Sequence, residues 1–473
     1  MKRLTIAVAA AVWAAGCTLG PDYRRPETTV PEAYRWQLPS AEAGASAEAY
    51  ADLGWWQVYA DPNLQQLLKA AVEQNPDVRI AAARIDQARA SLGVNRLAQL
   101  PQIAGTAGET RNETSALLTS FTLPRERTND VLQLSASWEI DLWGRLRRAT
   151  EAGRADLLAA EYAKQGVLVG LIGDVASAYF NLLSLDEQLE ITQRTTATRE
   201  KFVELTRARH DRGVVSGLDV ATAEAQLATA QGNVPELQRQ IAQAEDQLNF
   251  LLGGGANAIV RQVETNPIAP IPPPGLPSTL LERRPDIRQA EQALVAANAR
   301  IGSAKAALFP TLSLTGAVGS ASSALDGLLT GPAQTFSIGG NLLLPILDAQ
   351  RNLFVVDLAD ARKREAILQY QKTIQGALRD VSDALVARQK YAEFELTQRA
   401  QVAALRRADD IALARYRAGF SSYFDVINAD RDLFNAELTL SASARNTRIA
   451  AVQLYRALGG GWQLPALVPA AAK

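Results

Sequence analysis

The stretch Arg209–Val220, RHDRGVVSGLDV, returns as RYRAGFSSYFDV at Arg415–Val426, and this repetition restricts the fold more than any other feature of the chain. In each copy a glycine, Gly213 or Gly419, follows a long run without proline, where a helix ends in a left-handed residue. Three residues on, Ser216…Asp219 and Ser422…Asp425 have the spacing of a capping box: the serine oxygen receives an amide of the next helix, and the acid lies in its first turn. Each copy therefore predicts helix, tight turn, helix, the tip of an αα-hairpin. The repeat continues at a constant offset of 206 residues, from Arg145 with Arg351, through Asp174-Val175 with Asp380-Val381, to Gly253-Gly254-Gly255 with Gly459-Gly460-Gly461. A second block, Pro76-Asp77, Arg79, Gly93 and Pro101, reappears 209 residues later as Pro285-Asp286, Arg288, Gly302 and Pro310. One structural unit is written twice in tandem, over 61–255 and 282–461, with a stiff proline-rich linker at 256–281 that carries Pro270, Pro272, Pro273, Pro274 and Pro277.

Ahead of the first unit, residues 17–60 are spaced by Pro21, Pro26, Pro31 and Pro39 and read as an extended arm laid over another part of the molecule; residues 462–473 are a tail. At the start, Lys2 and Arg3 precede an apolar run, Leu4–Ala15, too short to span a bilayer. Ala14-Ala15-Gly16-Cys17 then resembles the lipobox of bacterial lipoproteins, which implies a signal peptide over 1–16 and a diacylglycerol and an N-acyl chain on Cys17. Thr18, rather than Asp, after that cysteine implies outer-membrane residence. With one Cys and one His in 473 residues, most metal and nucleophile chemistry is excluded, and neither a metal nor a bound cofactor is expected. A net charge of −1 gives no electrostatic reason for nucleic acid as a partner.

Asp61-Pro62 opens a helix, with Asp as cap and Pro at the first helical position; Asn75-Pro76 interrupts it, and a second helix runs to about Ala98. The period then changes. Leu132, Leu134, Ala136, Trp138, Ile140 and Leu142 alternate with Gln133, Ser135, Ser137, Glu139 and Asp141. A strand of about ten residues, apolar on one side and polar on the other, is the pattern of a transmembrane β-barrel strand. A weaker strand is expected at about Gln102–Arg111, and the second half repeats the pair, around Leu312–Val318 and Phe336–Leu344. From Gly144 to Gly213, and from Ile346 to Gly419, there is no proline, so each half predicts a helix of about 100 Å. The return helices run to Leu252 and Leu458, and Pro235 is expected to break the first of them.

Two strands per half give four per chain, and four strands cannot close a barrel, while open edges are not tolerated in hydrocarbon. Three copies would supply twelve strands and twelve long helices, enough for a β-barrel continued by an α-helical tube whose far end is ringed by the two kinds of tip. The architecture points to a conduit gated at those tips.

These residues resemble the lipidated outer-membrane factors of tripartite efflux systems, the TolC-like/OprM-like family. The resemblance rests on Cys17-Thr-Leu-Gly-Pro-Asp-Tyr23, Trp138-Glu-Ile-Asp-Leu-Trp-Gly-Arg-Leu-Arg147, Arg283-Arg-Pro-Asp-Ile-Arg288, Ala296-Ala-Asn-Ala-Arg-Ile-Gly302 and Phe309-Pro-Thr-Leu-Ser-Leu-Thr315. It implies a homotrimeric channel-tunnel that docks a periplasmic adaptor (membrane fusion) protein and an inner-membrane pump of the resistance–nodulation–division type. It also implies a gate at the tips, with Asp219 and Tyr416 in the places of a family Asp and Tyr. The family's gate Arg falls at Ser421 and a pore-lining Asp at Asn428, so closure is expected to draw on packing of Phe420, Tyr423 and Phe424.

For Asp219 and Asp425, helix capping and gating remain open together, and Tyr416 is either a gate contact or ordinary packing at the tip. His210, among Arg209, Asp211 and Arg212, reads as solvated, and no nucleophile motif accompanies it, so an enzyme is not expected. Two other functions share parts of the pattern: a non-channel periplasmic scaffold tethered by Cys17, and the outer component of protein secretion.

Overall fold

The computed structural model describes residues 18–34, 36, 53–115, 117, 125–255, 257–261, 268 and 277–462. Cys17, most of the proline-rich linker and nearly all of the tail lie outside them. The chain forms two compact units. One comprises 1–27, 83–161 and 289–371, the other 28–82, 162–288 and 372–473. In chain order the elements are α1 (Trp55–Val58), α2 (Pro62–Gln74), α3 (Pro76–Leu97), β1 (Gln102–Glu113), β2 (Glu126–Ile140), α4 (Arg145–Asp211) and α5 (Gly217–Leu251). Then follow α6 (Leu280–Arg283), α7 (Pro285–Ala306), β3 (Thr311–Ser322), β4 (Gln334–Leu343), α8 (Ala349–Arg417) and α9 (Tyr423–Ala457). The order of helix, two strands, long helix and return helix occurs twice, as the sequence repeat requires.

The first unit carries one antiparallel sheet in the order β1-β2-β3-β4, so the two predicted hairpins join through β2 and β3. Its register decides its chemistry. Gly105, Leu134, Val318 and Phe336 form one cross-strand row, and Ile103, Ala136, Gly316 and Ile338 the next. Because side chains alternate between faces, the neighbouring rows lie on the other side: Ala104, Ser135, Ala317 and Ser337 between those two, and Gln102, Ser137, Thr315 and Gly339 next after them. One face is thus apolar and the other small and polar, across all four strands. Leu134, Val318, Phe336 and Ile338 are exposed. In water such a face would be an aggregation hazard; in a bilayer it is the lipid-facing surface. Among the described residues nothing pairs with the outer edges of β1 and β4.

Two details of the strands differ from expectation. The apolar alternation reaches Leu142 and Leu344, but β2 ends at Ile140 and β4 at Leu343. Asp141 does not face inward from a strand. Its carboxylate accepts the Leu146 and Arg147 amides at 3.1 and 2.8 Å, so the need to cap α4 ends β2 early.

The arm is fastened to the first unit. The Leu19 amide donates to the Trp143 carbonyl at 3.0 Å, and a side chain on Gly20 would collide with the backbone of Gly302 on α7. Buried Arg148 binds Asp22 at 2.8 Å, the Asn298 amide group donates to the Pro21 carbonyl at 2.8 Å, and Arg25 grips Glu291 with two bonds of 2.7 and 2.9 Å. Glycine is required at both 20 and 302 by this close approach.

In the second unit α2 begins as predicted. Asp61 accepts the Asn63 and Leu64 amides at 2.8 and 3.3 Å, and its second oxygen accepts the Tyr179 hydroxyl at 2.7 Å in the core. In the apolar stretch of α4, Ile172, Val175, Tyr179 and Phe180 are buried in the protein, as in a core helix rather than a membrane span. Arg284, from the repeated Pro-Asp block, is also structural: it ties Asp286 at 2.7 Å to Asp380 at 3.4 Å and to the Ala457 carbonyl at 2.8 Å. The expected break at Pro235 does not occur. α5 runs unbroken from Gly217 to Leu251, because buried Ala230, Leu237, Ile241 and Leu248 hold both sides of the proline against the unit, and that packing outweighs the cost of an interior proline, a missing backbone bond and a ring clash of about 3 kcal/mol together.

Candidate functional site at the hairpin tips

Both tips belong to the second unit. At the first, α4 ends at Asp211, and Gly213 takes φ +72°; its amide donates to the His210 carbonyl at 2.8 Å and the Val214 amide to the Arg209 carbonyl at 2.9 Å. These two bonds are a Schellman closure, which needs a residue without Cβ strain at Gly213. Ser216 then caps α5. Its oxygen accepts the Asp219 amide at 3.3 Å, while Asp219 Oδ2 accepts the Ser216 amide at 2.9 Å and its hydroxyl at 2.8 Å. The second tip repeats the arrangement, with Gly419 at φ +81° and the Phe420 amide donating to the Arg415 carbonyl at 2.8 Å. Its box is looser: Asp425 Oδ2 accepts the Ser422 amide and hydroxyl, each at 3.2 Å. Within the chain, both acids serve their caps.

Behind the caps the two hairpins meet in a small core of Val203, Ala223, Tyr416, Tyr423 and Val426, with Phe202 packed against it. Phe202 stacks on Tyr423 with ring centres 5.7 Å apart, and Tyr416 closes the group at 5.7 Å from Tyr423 and 6.2 Å from Phe202. Tyr416 is 4% and Tyr423 6% exposed, whereas Phe420 is 77% and Phe424 68% exposed. Of the three aromatics expected to close the tips, Tyr423 therefore packs between the hairpins of one chain, and the two phenylalanines stand out with Val214 and Leu218. Asp219 and Tyr416 are not joined to each other. The Tyr416 hydroxyl is buried without a hydrogen-bond partner among the described residues. Its ring is held by Arg209, whose guanidinium lies 4.5 Å from the ring centre and donates to the Tyr416 carbonyl at 3.4 Å. Burial, with Tyr416 alongside, pushes the Tyr423 hydroxyl well above its ordinary range, so it stays neutral and acts as a ring. Ser421 Oγ is likewise buried and without a partner among the described residues, and His210 is exposed.

Further up the seam lies a set of charges that the sequence reading did not single out. Arg199 of α4 binds Asp430 of α9 at 2.8 Å, and Glu437 accepts from Arg194 at 2.7 Å and from Arg406 at 2.5 Å. A signal existed: Tyr423, Val426, Asp430, Phe434 and Glu437 recur at steps of three and four residues, so the acids fall on the apolar stripe of α9. Among the described residues, no cluster of His, Cys, Asp and Glu is arranged to hold a metal ion.

The family model described as outer membrane efflux protein matches this chain over 67–254 and 276–460, once for each half. The toluene efflux pump outer membrane protein TtgC of Pseudomonas putida is 36% identical over 97% of this chain and 95% of its own. The cation efflux system protein CusC of Escherichia coli is 32% identical over 98% and 99%. The crystal structure of the open state of the MtrE outer membrane channel of Neisseria gonorrhoeae superposes with a TM-score of 0.85, at 30% identity over 94% of this chain and 99% of that one. Twofold repetition, a lipid-facing sheet and paired capped tips agree with this likeness: the chain belongs to the outer membrane efflux protein family, the outer-membrane channels of tripartite efflux systems.

Proposed function

We propose that three copies of this chain form a passive, gated duct that carries small molecules such as drugs from the periplasm to the exterior. The observation that carries this reading is the sheet, with one apolar face in register across four strands and two unpaired edges. A bilayer accepts that face but not those edges, and three copies pair every edge in a barrel of about twelve strands. The duct has no energy source of its own; a periplasmic adaptor and an inner-membrane pump of the resistance–nodulation–division type supply it. The relatives' names, toluene efflux and cation efflux, support a small-molecule cargo.

Anchoring by acyl chains on Cys17 in the outer-membrane lipid is part of the proposal. Thr18 sits against Gly144, just beyond the end of β2, and Leu19 is bonded to Trp143. The lipidated residue would then be tethered within a few residues of the strand ends, at the level of the headgroups. Native mass spectrometry of the mature protein in detergent tests both points. The expected result is a trimer with acyl mass on its N-terminal peptide; a lipidated monomer would return the molecule to the periplasmic scaffold reading.

A further inference from the structure

The seam between the hairpins carries charge where most of it carries rings and methyl groups. The side chain of Arg199 is 6% exposed, and besides Asp430 it serves the Gln226 carbonyl of α5 at 2.9 Å; its guanidinium lies 5.3 Å from the Phe434 ring centre. Asp409 of α8 lines the same cavity as Asp430, a space of about 30 Å³ next to Phe202 and Tyr423. α5 contributes Ala223 and uncharged Gln226 to that space. Arg194 of α4 and Arg406 of α8 lie nearby and are both bonded to Glu437. All three arginines are thereby committed elsewhere, and Asp409 has no ion-pair or hydrogen-bond partner among the described residues. Burial, then the carboxylates of Asp430, Asp410 and Glu437, push the Asp409 carboxyl up to about 6.

We propose that the Arg199–Asp430 pair is the intrasubunit latch holding the second hairpin to the first, and that Asp409 is its proton-sensitive part, tightening the latch when it is protonated. The consequence for conduction rests on the channel reading above. Docking encloses Asp409 in a cavity shared with Thr198 and Phe202 of α4 and Ala223 of α5, so an ionised Asp409 without a cation of its own must give up water there, and that cost loosens α8 and α9 from α4. Asp430 has Arg199 to hold its charge, so the first proton goes to Asp409. Its carboxyl titrates higher in the docked arrangement than in a free chain. Docking is therefore strongest in acid and weakens as pH rises through about 6.

Amide exchange of full-length protein in detergent reads the latch whether or not the protein conducts. Protection of 423–437, corrected for intrinsic exchange, should rise by up to about fourfold between about pH 7.5 and about pH 5.5. In Asp409→Asn it should be high at both values, and Asp409→Glu should restore the dependence. A wild-type seam with no pH dependence, or one that Asp409→Asn shares, would overturn the proposal. Single-channel recordings on the same samples should show fewer openings in acid; a protein with no openings at any pH would count against the channel reading alone.

Discussion

At the tips, one side chain does the work of a cap and another that of a seam. Asp219 is taken by Ser216, so its contribution within a chain is local order, and Asp425 does the same less tightly. Tyr416 is different, since its ring is buried between hairpins and clamped by Arg209. Tyr416→Ala should remove about 3 kcal/mol of packing from the seam. The expected outcome is a leakier channel, seen as raised conductance in planar bilayers and as greater susceptibility to large antibiotics; Asp219→Asn, which keeps an acceptor for Ser216, should leak less. Equal leakage from both variants would move the gate from the seam to the caps. The caps were legible from spacing alone, because a capping box is satisfied within four residues. The burial of Tyr423 against exposure of Phe420 and Phe424 was not, because it depends on a helix some two hundred residues away.

Among the elements, the sheet shows how far a period-two pattern reaches. Alternation along Leu132–Ile140 specifies two faces, but only the register with β1 and β3 shows that the apolar faces coincide. Leu134 lies near the middle of β2, on that face, and Ser135 on the other. Leu134→Arg should cost roughly 3 kcal/mol at the bilayer midplane, while Ser135→Arg should be tolerated. The check is the yield of folded assembly in outer-membrane fractions by semi-native electrophoresis, and comparable losses for both would mean that this face does not meet lipid. Helix α5 shows the reverse case. Pro235 argues for a break when read locally, and the break is prevented by apolar contacts on both sides of it.

For the whole molecule, attachment by the strands is separable from the proposed attachment by acyl chains on Cys17. Cys17→Ala should remove the acyl mass, yet the protein should still fractionate with the outer membrane as a trimer, since strands that cross the bilayer hold it there without a lipid. Appearance of the variant in the soluble periplasmic fraction would show that the strands do not span. The sequence by itself determined the twofold repeat, the four strands, the two capped tips and the family, because periodicity, capping and turn chemistry act over a few residues and are written wherever they act. Only the tertiary structure decided the strand ends, the passage of α5 through Pro235, the clamp of the arm on α7 and the Arg199–Asp430–Asp409 cluster. Those depend on side chains distant in the chain, whose burial and pairing exist only once the helices and strands have packed.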